Sequence, residues 1–324
     1  MLPLEICLIT YNRKDFLRRT LTQLLADTSA VKSLPITVLD NASTDGSSEL
    51  IKEFTARHSN LTHIRHEKNI GGNANICRAF EQAHQKYIWV LADDDTYEWS
   101  GWDEVKQAME KGMDFILVSR TFFPQRPLTD FEILNEMSFL PGTIFKTEHI
   151  TDEVLQAAYN NISNSFPHLA LACYLFNEHK SYTVTGKNIV QQGWELKTNS
   201  QVHMTRGIKR FVHYRFKTPS LFTCLINSFQ LLDNKKLRYQ CCGHIFTGHS
   251  FFWAMIYFFV ENKFSIYNCS DIFWGISLWQ KFIFMLTAGI YAVCILPLKI
   301  LLGSRFDRFI QALRTAKRKK EGKI

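Results

Sequence analysis

The first 100 residues alternate between short apolar runs and segments in which apolar residues recur at helical spacing. Apolar runs at residues 4–10, 36–39, 61–65 and 87–91 predict four strands. Helical periodicity at residues 16–25, 50–54 and 76–83 predicts three intervening helices. Strands that alternate with helices favour a mostly parallel sheet with helices on both faces. We therefore predict an α/β fold for this part of the chain.

Three of the predicted strands end in polar loops, which begin at Thr10, Asp40 and Asp93. In open α/β sheets, ligands bind outside the carboxyl ends of the strands. We therefore expect the three loops to meet at one edge of the sheet and to form a binding site. The chain contains neither G-x-G-x-x-G nor G-x-x-x-x-G-K-[ST], which disfavours a dinucleotide enzyme and a P-loop NTPase.

Three consecutive carboxylates, Asp93, Asp94 and Asp95, follow the fourth predicted strand. An acidic turn or a helix N-terminus would also carry such residues. A hard divalent cation, however, takes one or two carboxylates and completes its shell with phosphate oxygens and water. Asp40, at the end of the second strand, could accept hydrogen bonds from a base or a ribose. A nucleotide whose diphosphate is bound to the metal would satisfy both sites.

The middle of the chain continues as mixed structure, with predicted strands at residues 115–119 and 139–146 and predicted helices at residues 152–158 and from residue 166. The eight Cys residues include no CxxC pair and no zinc-like spacing with His. The N-terminus lacks the features of a signal peptide. We expect the bulk of the protein to lie in a reducing cytoplasm.

The C-terminal third differs in character from the rest. Residues 244–260 and 282–298 are two runs of 17 residues without Asp, Glu, Lys or Arg. A membrane-spanning helix needs about 20 apolar residues, so three interpretations stay open: buried core helices, helices in the membrane interface or one leaflet, and a spanning hairpin. Of the three, we favour membrane association.

The formal charge of +8 is concentrated at the C-terminus. Residues 299–324 contain nine Lys or Arg residues against Asp307 and Glu321. A nucleic-acid-binding protein would instead spread basic residues over a binding face. We expect no nucleic acid and a peripheral or monotopic location on the cytoplasmic side of the inner membrane. The predicted domains are residues 1–205, with a nucleotide half to about residue 100 and an acceptor half beyond it, and a helical region at 206–324.

Four segments occur in the order and spacing of family 2 glycosyltransferases: ITYNR (9–13), LDNASTDGS (39–47), NIGGNANICRAFE (69–81) and YIWVLADDD (87–95). Within that family the chain resembles the abequosyltransferase-like and the capsule or O-antigen enzymes of bacteria. The resemblance is strong over residues 4–100 and fair to about residue 180. It implies a GT-A fold and inverting, metal-dependent transfer from a nucleotide-diphosphate sugar to a lipid-linked glycan acceptor in cell-envelope polysaccharide synthesis.

The resemblance also implies roles for individual residues. Asp40 would contact the base, and Asn69 and the two glycines after it would lie near the ribose and diphosphate. The implied donor-binding residues are Thr10, Tyr11, Asn12, Asp40, Asn41, Asn69, Gly71, Gly72, Asp93 and Asp94.

The resemblance places the carboxylate triplet at the DxD position, where it would hold Mn2+ or Mg2+. Asp93 and Asp95 come first as ligands, followed by Asp94, and Asp95 is also implied in catalysis. Where the family supplies a carboxylate as general base, this chain has SNSFPHLALA, so His168 is the candidate base. Asp152 and Glu153 are the nearest carboxylate alternatives. A nucleotidyltransferase and a non-catalytic membrane scaffold are the competing interpretations of the whole chain.

Overall fold

The computed structural model of the protein describes residues 2–118, 127–191, 193, 221–243, 251–260 and 266–303, and positions 305, 306, 309 and 312. The strands and helices predicted for the first 100 residues are present. The strands are β1 (Leu4–Thr10), β2 (Ile36–Asp40), β3 (Leu61–Arg65) and β4 (Tyr87–Ala92). The helices are α1 (Lys14–Leu24), α2 (Ser47–Thr55) and α3 (Gly72–Glu81).

The second half of the α/β unit is less regular. Its strands are β5 (Thr96–Tyr97), β6 (Phe115–Leu117), β7 (Thr143–Lys146), β8 (Tyr182–Val184) and β9 (Val190–Gln191). Its helices are α4 (Trp102–Glu110), α5 (Asp130–Glu136), α6 (Asp152–Asn160) and α7 (Leu169–Asn177), with short 3-10 turns at Leu140–Gly142 and Thr147–His149.

A seven-stranded sheet with the order β3-β2-β1-β4-β7-β6-β8 forms the centre of the molecule. The strands β3, β2, β1 and β4 are parallel to one another, whereas β7 is antiparallel to both β4 and β6. The α/β prediction is therefore confirmed, with a mixed rather than wholly parallel sheet. A separate two-stranded ribbon pairs β5 with β9.

The antiparallel direction of β7 decides which later residues lie near the predicted site. Ile144, near the start of β7, pairs with Trp89 of β4, while Lys146 at its end pairs with Tyr87. The turn before β7 therefore lies at the carboxyl edge of β4, where the Asp triplet begins. The segment after β7 lies at the opposite edge.

Side chains that alternate along β1 fill two cores, one on each face of the sheet. Leu4, Ile6 and Leu8 pack with Leu17, Leu21 and Leu24 of α1 on one face. Cys7 packs on the other face, in a cluster that includes Phe115 and Phe145. Burial of each such Leu or Phe side chain stabilises the fold by about 1.5–3 kcal/mol.

The described C-terminal helices are α8 (Leu221–Phe229), α9 (Lys235–Gly243), α10 (Phe251–Val260), α11 (Ile266–Gly275), α12 (Leu278–Ile290) and α13 (Leu296–Leu302), with a π-helical turn at Tyr291–Ile295. Cys224, Phe229 and Cys242 belong to the same buried cluster as Phe115 and Phe145 of the sheet. These helices therefore share a core with the α/β unit. The predicted domain boundary at residue 205 lies outside the described residues.

In the part of the chain that the structure describes, one helix, Leu278–Leu302, is long and apolar enough to cross a membrane. It contains the predicted run at residues 282–298, and its most apolar window is only 11% buried. Leu278 and Trp279 are 84% and 69% exposed. The other predicted run is described only as α10, because residues 244–250 lie outside the described residues.

Candidate active site

The loops after β1 and β2 are joined by Asn12. The backbone N–H of Asn12 donates a hydrogen bond to Ser43 Oγ at 2.9 Å, and the N–H of Thr44 donates to Asn12 Oδ1 at 2.7 Å. Asn12 adopts a left-handed conformation with φ of 50°, which Asn tolerates better than most residues. Its side chain is therefore engaged in holding two loops together.

The loops after β2 and β3 are joined in the same way by a pair of asparagines. Asn41 Nδ2 donates to Asn69 Oδ1 at 2.9 Å, and the N–H of Ile70 donates to Asn41 Oδ1 at 2.9 Å. Asn69 Oδ1 also accepts from the N–H of Gly71 at 2.8 Å. Asn12, Asn41 and Asn69 thus bring the loops after β1, β2 and β3 together at one sheet edge. The loop that begins at Asp93 joins them through Thr10, whose hydroxyl donates to Asp93 Oδ2, so the three loops expected at this edge do meet there.

A surface suited to a nucleotide lies along this edge. Tyr11 is 41% exposed and offers an aromatic face. Helix α3 begins at Gly72 with no side-chain cap and no acidic residue in its first turn, so its first N–H groups and its dipole favour an anion. A Cβ added at Gly71 or Gly72 would meet no atom within 4 Å, which leaves space for a ligand close to the backbone.

Asp40, at the end of β2, is completely buried. Its carboxylate accepts hydrogen bonds from the Ser43 N–H at 2.8 Å and from the Ser48 hydroxyl, and the Arg65 guanidinium lies 3.5 Å away. Burial alone would raise the pKa of Asp40, but the hydrogen bonds from Ser43 and Ser48 and the nearby His63 ring, whose Nε2 lies 3.7 Å from Oδ2, outweigh burial and hold the pKa below its ordinary value. These contacts stabilise the loop, and the contact of Asp40 with a base stays a prediction.

Asp93, the first carboxylate of the triplet, is buried, and both of its carboxylate oxygens have partners. Its Oδ2 accepts from the Thr10 hydroxyl at 2.6 Å, and its Oδ1 lies 2.8 Å from Nη1 of Arg13. Burial raises the pKa of Asp93 to about 6, although Arg13 and Thr10 act in the opposite direction. Thr10 and Asp93 thus tie the end of β1 to the end of β4.

Asp94 differs from both of its neighbours because it reaches the surface. Its Oδ2 accepts from Nη2 of Arg13 at 2.7 Å, and its side chain is 15% exposed. Within the described residues, its Oδ1 has no hydrogen-bond partner. Asp94 is therefore the triplet member with a carboxylate oxygen that faces outward.

Asp95 is buried beneath a segment from much later in the chain. Its Oδ1 accepts from the N–H of Gly193 at 3.1 Å, just after the β5–β9 ribbon. A Cβ on Gly193 would lie 1.8 Å from the carbonyl oxygen of Asp94, so only glycine allows this close approach. Sequence reasoning missed this contact, because no motif marks residues 190–193.

Helix α1 holds the backbone of the triplet through a polar face that sequence reasoning also missed. Thr20 Oγ1 donates to the carbonyl of Asp93 at 2.9 Å, and Gln23 Nε2 donates to that of Asp95 at 3.4 Å. Arg19 donates to the carbonyl of Asp94 at 3.3 Å. Arg13 and these three residues recur at helical spacing, the one signal that could have identified them.

A second acidic group lies elsewhere on the sheet. Among the described residues, Asp114, Glu148 and His149 have ligand atoms within 4.8 Å of one another. Glu148 and His149 follow β7 and Asp114 precedes β6, so the group lies at the opposite edge of the sheet. Lys146 already contacts Glu148 at 2.6 Å. At the triplet, Asp94 offers one outward oxygen at the sheet edge along which the uncapped start of α3 also lies. One carboxylate completed by phosphate oxygens is a donor set that fits Mg2+ or Mn2+.

His168 immediately precedes α7 and lies at the correct edge, because its Nε2 donates to the carbonyl of Ser138 at 3.2 Å, in the segment before β7. Its ring is buried, and its Nδ1 has no hydrogen-bond partner in the described part of the chain. Burial lowers the pKa of His168 to about 4. The imidazole is therefore neutral at pH 7, with a lone pair on Nδ1.

The alternative bases lie in the wrong place. Asp152 and Glu153 form the first turn of α6 and are exposed. The N–H of Thr147 donates to the carbonyl of Lys86, which precedes β4, so the chain enters α6 from the edge opposite to the triplet. Both carboxylates thus lie toward the sheet edge opposite to the triplet, which disfavours them as the base.

Comparison with known proteins gives the family. The model of the family described as "Glycosyl transferase family 2" matches residues 5–173, about half of the chain and all of the elements that build this edge. The chain belongs to glycosyl transferase family 2. The resemblance seen in the sequence is thereby confirmed.

Individual members of glycosyl transferase family 2 match over shorter segments. A stretch of 93 residues is 29% identical to the abequosyltransferase RfbV of Salmonella typhimurium and covers 28% of this chain and 28% of that protein. A stretch of 91 residues is 28% identical to the uncharacterized glycosyltransferase MJ1057 of Methanocaldococcus jannaschii and covers 31% of it. The matched segment thus spans less than a third of either relative.

Solved structures resemble this family 2 chain over most of its length. TarS (residues 1–349) of S. aureus in complex with UDP-GlcNAc has a TM-score of 0.57 at 14% identity, with 86% of this chain and 82% of that chain covered. The mannosyltransferase PcManGT of Pyrobaculum calidifontis, in complex with GDP-Man and Mn2+, has a TM-score of 0.51 at 13% identity, with 95% and 80% covered. This likeness confirms the predicted GT-A fold.

Proposed function

We propose that this protein transfers a sugar from a nucleotide-diphosphate sugar to a hydroxyl of a lipid-linked glycan, with inversion and with Mn2+ or Mg2+. One observation carries the proposal: Tyr11, the uncapped start of α3 and the outward oxygen of Asp94 lie along one sheet edge. They offer an aromatic face for a base, N–H groups for a diphosphate and a ligand for a metal. RfbV is an abequosyltransferase, and the solved relatives hold UDP-GlcNAc or GDP-Man.

The chemistry explains why these groups belong together. When the bond between the anomeric carbon and the phosphate oxygen breaks, the nucleoside diphosphate leaves with additional negative charge. The N–H groups at the start of α3 are fixed in place and stabilise that charge as it develops. A divalent ion held by Asp94 would supply further neutralisation of the leaving group. Asp93 and Asp95 keep the turn in shape through their contacts with Thr10 and Gly193.

The acceptor hydroxyl must lose a proton, and His168 is the proposed base. Its Nδ1 is a free acceptor within the described residues, and Nε2 holds the ring in place through Ser138. The low pKa reduces the driving force for proton uptake, since general bases work best when their pKa is near the working pH. The same contacts suit a histidine that only fixes the start of α7. The His168→Gln variant separates the two roles.

A panel of nucleotide sugars tests the proposed activity. Purified protein is incubated with each donor and Mn2+, Mg2+ or excess EDTA, and release of nucleoside diphosphate is measured. Metal-dependent release from one donor supports the proposal. A nucleotidyltransferase would instead release pyrophosphate from a nucleoside triphosphate and a sugar phosphate. A non-catalytic scaffold would give neither product, and activity at full rate in EDTA contradicts metal dependence.

We also propose that the C-terminal helices bind the cytoplasmic face of the membrane. Two other kinds of helix can be as long and as apolar: the core helix of a soluble protein and a signal sequence near an N-terminus. The helix Leu278–Leu302 is mostly exposed and lies in the C-terminal part of the chain, so both are disfavoured. Its exposed residues include Trp279, Phe282 and Met285, which lie near one end, as interface anchors do. The basic residues of 299–324 would favour an anionic leaflet by about 1 kcal/mol each near its surface.

Lys281 and Lys299 bound the uncharged segment of this helix. At 1.5 Å per residue they are about 27 Å apart along the axis, close to the thickness of the hydrocarbon core. Flotation with vesicles of phosphatidylcholine and phosphatidylglycerol tests the membrane proposal. A triple replacement of Trp279, Phe282 and Met285 by Gln should reduce flotation, and high salt should release the native protein only in part. A native protein that stays soluble without detergent contradicts the proposal.

A further inference from the structure

Arg13 bridges two members of the carboxylate triplet. Its Nη1 lies 2.8 Å from Oδ1 of Asp93, and its Nη2 donates to Oδ2 of Asp94 at 2.7 Å. The two terminal nitrogens of one planar guanidinium thus hold two adjacent side chains in a fixed relation. A lysine has a single ammonium on a flexible stem and cannot reproduce this fork.

The Phe16 ring also helps to fix the position of the Arg13 side chain. Its guanidinium carbon lies 4.6 Å from the centre of the Phe16 ring, in a cation–π contact. The Nε atom is buried and has no hydrogen-bond partner in the described ranges. A buried N–H without a partner costs about 1–3 kcal/mol, so the two carboxylates and the ring outweigh that cost in setting the position of the side chain.

The charges at the triplet require such a residue. Asp93, Asp94 and Asp95 would carry three negative charges on adjacent residues, and Arg13 offsets one of them. Both oxygens of Asp93 are occupied by Thr10 and Arg13, whereas Arg13 takes only one oxygen of Asp94. The fork therefore determines which carboxylate keeps an outward oxygen.

We propose that Arg13 is a positioning residue of the metal site, which holds Asp93 out of the coordination shell and orients Asp94 as the ligand. The proposal rests on the proposed function, in which the triplet binds Mn2+ or Mg2+. The proposed role depends on the geometry of the Arg13 guanidinium and not on its charge alone. Arg13 acts through Asp94 and need not touch the donor or the reacting atoms.

Mn2+ binding by the full-length protein tests this role without any turnover. Electron paramagnetic resonance gives the free Mn2+ during a titration with Mn2+ alone, and again with a panel of nucleoside diphosphates. Arg13→Lys keeps the charge and removes the fork, so its Mn2+ affinity should fall about 10- to 100-fold, as for other partners of metal ligands. Arg18→Lys is the matched control, because Arg18 is half-exposed on α1 and, within the described ranges, its guanidinium pairs with Glu53 alone, at 3.8 Å.

Arg13→Gln separates geometry from charge. If Arg13 acts only through its charge, its removal should tighten Mn2+ binding, and Arg13→Lys should bind as the native protein does. If Arg13 positions Asp94, both variants should lose affinity together. Thermal unfolding of each variant is measured in parallel, so that affinity is compared between folded proteins, and either variant that folds suffices for the test.

Two further outcomes have distinct meanings. Native Mn2+ affinity in a folded Arg13→Lys or tighter binding in a folded Arg13→Gln overturns the role of Arg13 and leaves the proposed function standing. A native protein that binds no Mn2+ under any of these conditions overturns both proposals.

Discussion

Asn73 and Asn164 join the two halves of the catalytic unit: Nδ2 of Asn73 donates a hydrogen bond to the carbonyl oxygen of Asn164 at 2.8 Å. The same amide donates to the carbonyl of Ile162 at 2.8 Å. Asn73 lies in the first turn of α3, and Asn164 lies in the loop that leads to His168 and α7. The proposed diphosphate site and the candidate base are thus carried by two segments in direct contact.

Asp94→Asn should abolish metal-dependent release of nucleoside diphosphate, because it removes the outward carboxylate. We expect a loss of about 3 kcal/mol or more in transition-state stabilisation, or at least about 100-fold in kcat/KM. The unfolding midpoint should change little, since Asp94 is only partly buried. The check is a steady-state assay combined with thermal unfolding.

Asp93→Asn should show the opposite pattern to Asp94→Asn. It disrupts the buried contact with Arg13, so the free energy of unfolding should fall by about 1.5–3 kcal/mol, as for a hydrogen bond to a charged group. Mn2+ binding should persist with reduced affinity. Loss of Mn2+ binding at native stability would instead restore Asp93 as the principal ligand, which is the order expected from the sequence.

Asp40→Asn tests whether Asp40 is structural or binds the base. Because its observed partners are Ser43, Ser48, His63 and Arg65, we expect a loss of about 1–3 kcal/mol in unfolding free energy. Denaturant titration measures it, with the exposed Asp103→Asn as control. A raised KM for the donor at native stability would support the contact with a base.

His168→Gln should flatten the pH dependence of stability. The pKa of His168 is lowered by burial to about 4 in the folded state, against about 6.5 in an unfolded chain. Between these values the unfolded state binds more protons, so stability is complete above about pH 6.5 and falls as the pH decreases toward about 4. The effect is at most about 3 kcal/mol and is measured by denaturant titration at several pH values.

The same variant decides the catalytic role of His168. Loss of a general base should reduce kcat by about 100- to 10,000-fold with little change in donor KM. A kcat near the native value, together with the flattened stability profile, would assign His168 to the structure of the loop alone.

Gly193→Ala should displace the segment that covers Asp95. The added Cβ would lie 1.8 Å from the Asp94 carbonyl oxygen, so the segment must move and the hydrogen bond to Asp95 must break. We expect a loss of about 1–3 kcal/mol in stability, the range for overpacking, together with weaker Mn2+ binding. Gly289→Ala is the control, because a Cβ there would meet no atom within 4 Å. Equal unfolding midpoints for the two variants would contradict the close approach.

Local sequence patterns determined the first four strands, the three helices between them and the edge at which the polar loops meet. These features follow from hydrophobic periodicity and from the direction of parallel strands, both of which can be inferred from short stretches of sequence. Thr10, Tyr11, Asn12 and Asn41 lie at that edge as expected, whereas Asn69 was implied only by the resemblance. Donor binding by these residues stays a prediction. The family was recognisable for the same reason, since its four segments lie within about 90 residues.

Only the tertiary structure decided what each of these residues contacts. The separation of Asp93, Asp94 and Asp95 into two buried side chains and one outward carboxylate depends on Arg13 and on Gly193, which is 98 residues from Asp95 in the sequence. Asp40 is buried among Ser48, His63 and Arg65 of neighbouring elements, a setting that no local pattern indicates. Its contact with a base stays a prediction. The antiparallel direction of β7 placed Asp152 and Glu153 toward the opposite edge of the sheet. Burial and pairing depend on contacts between residues that are distant in the sequence, so a local sequence pattern does not determine them.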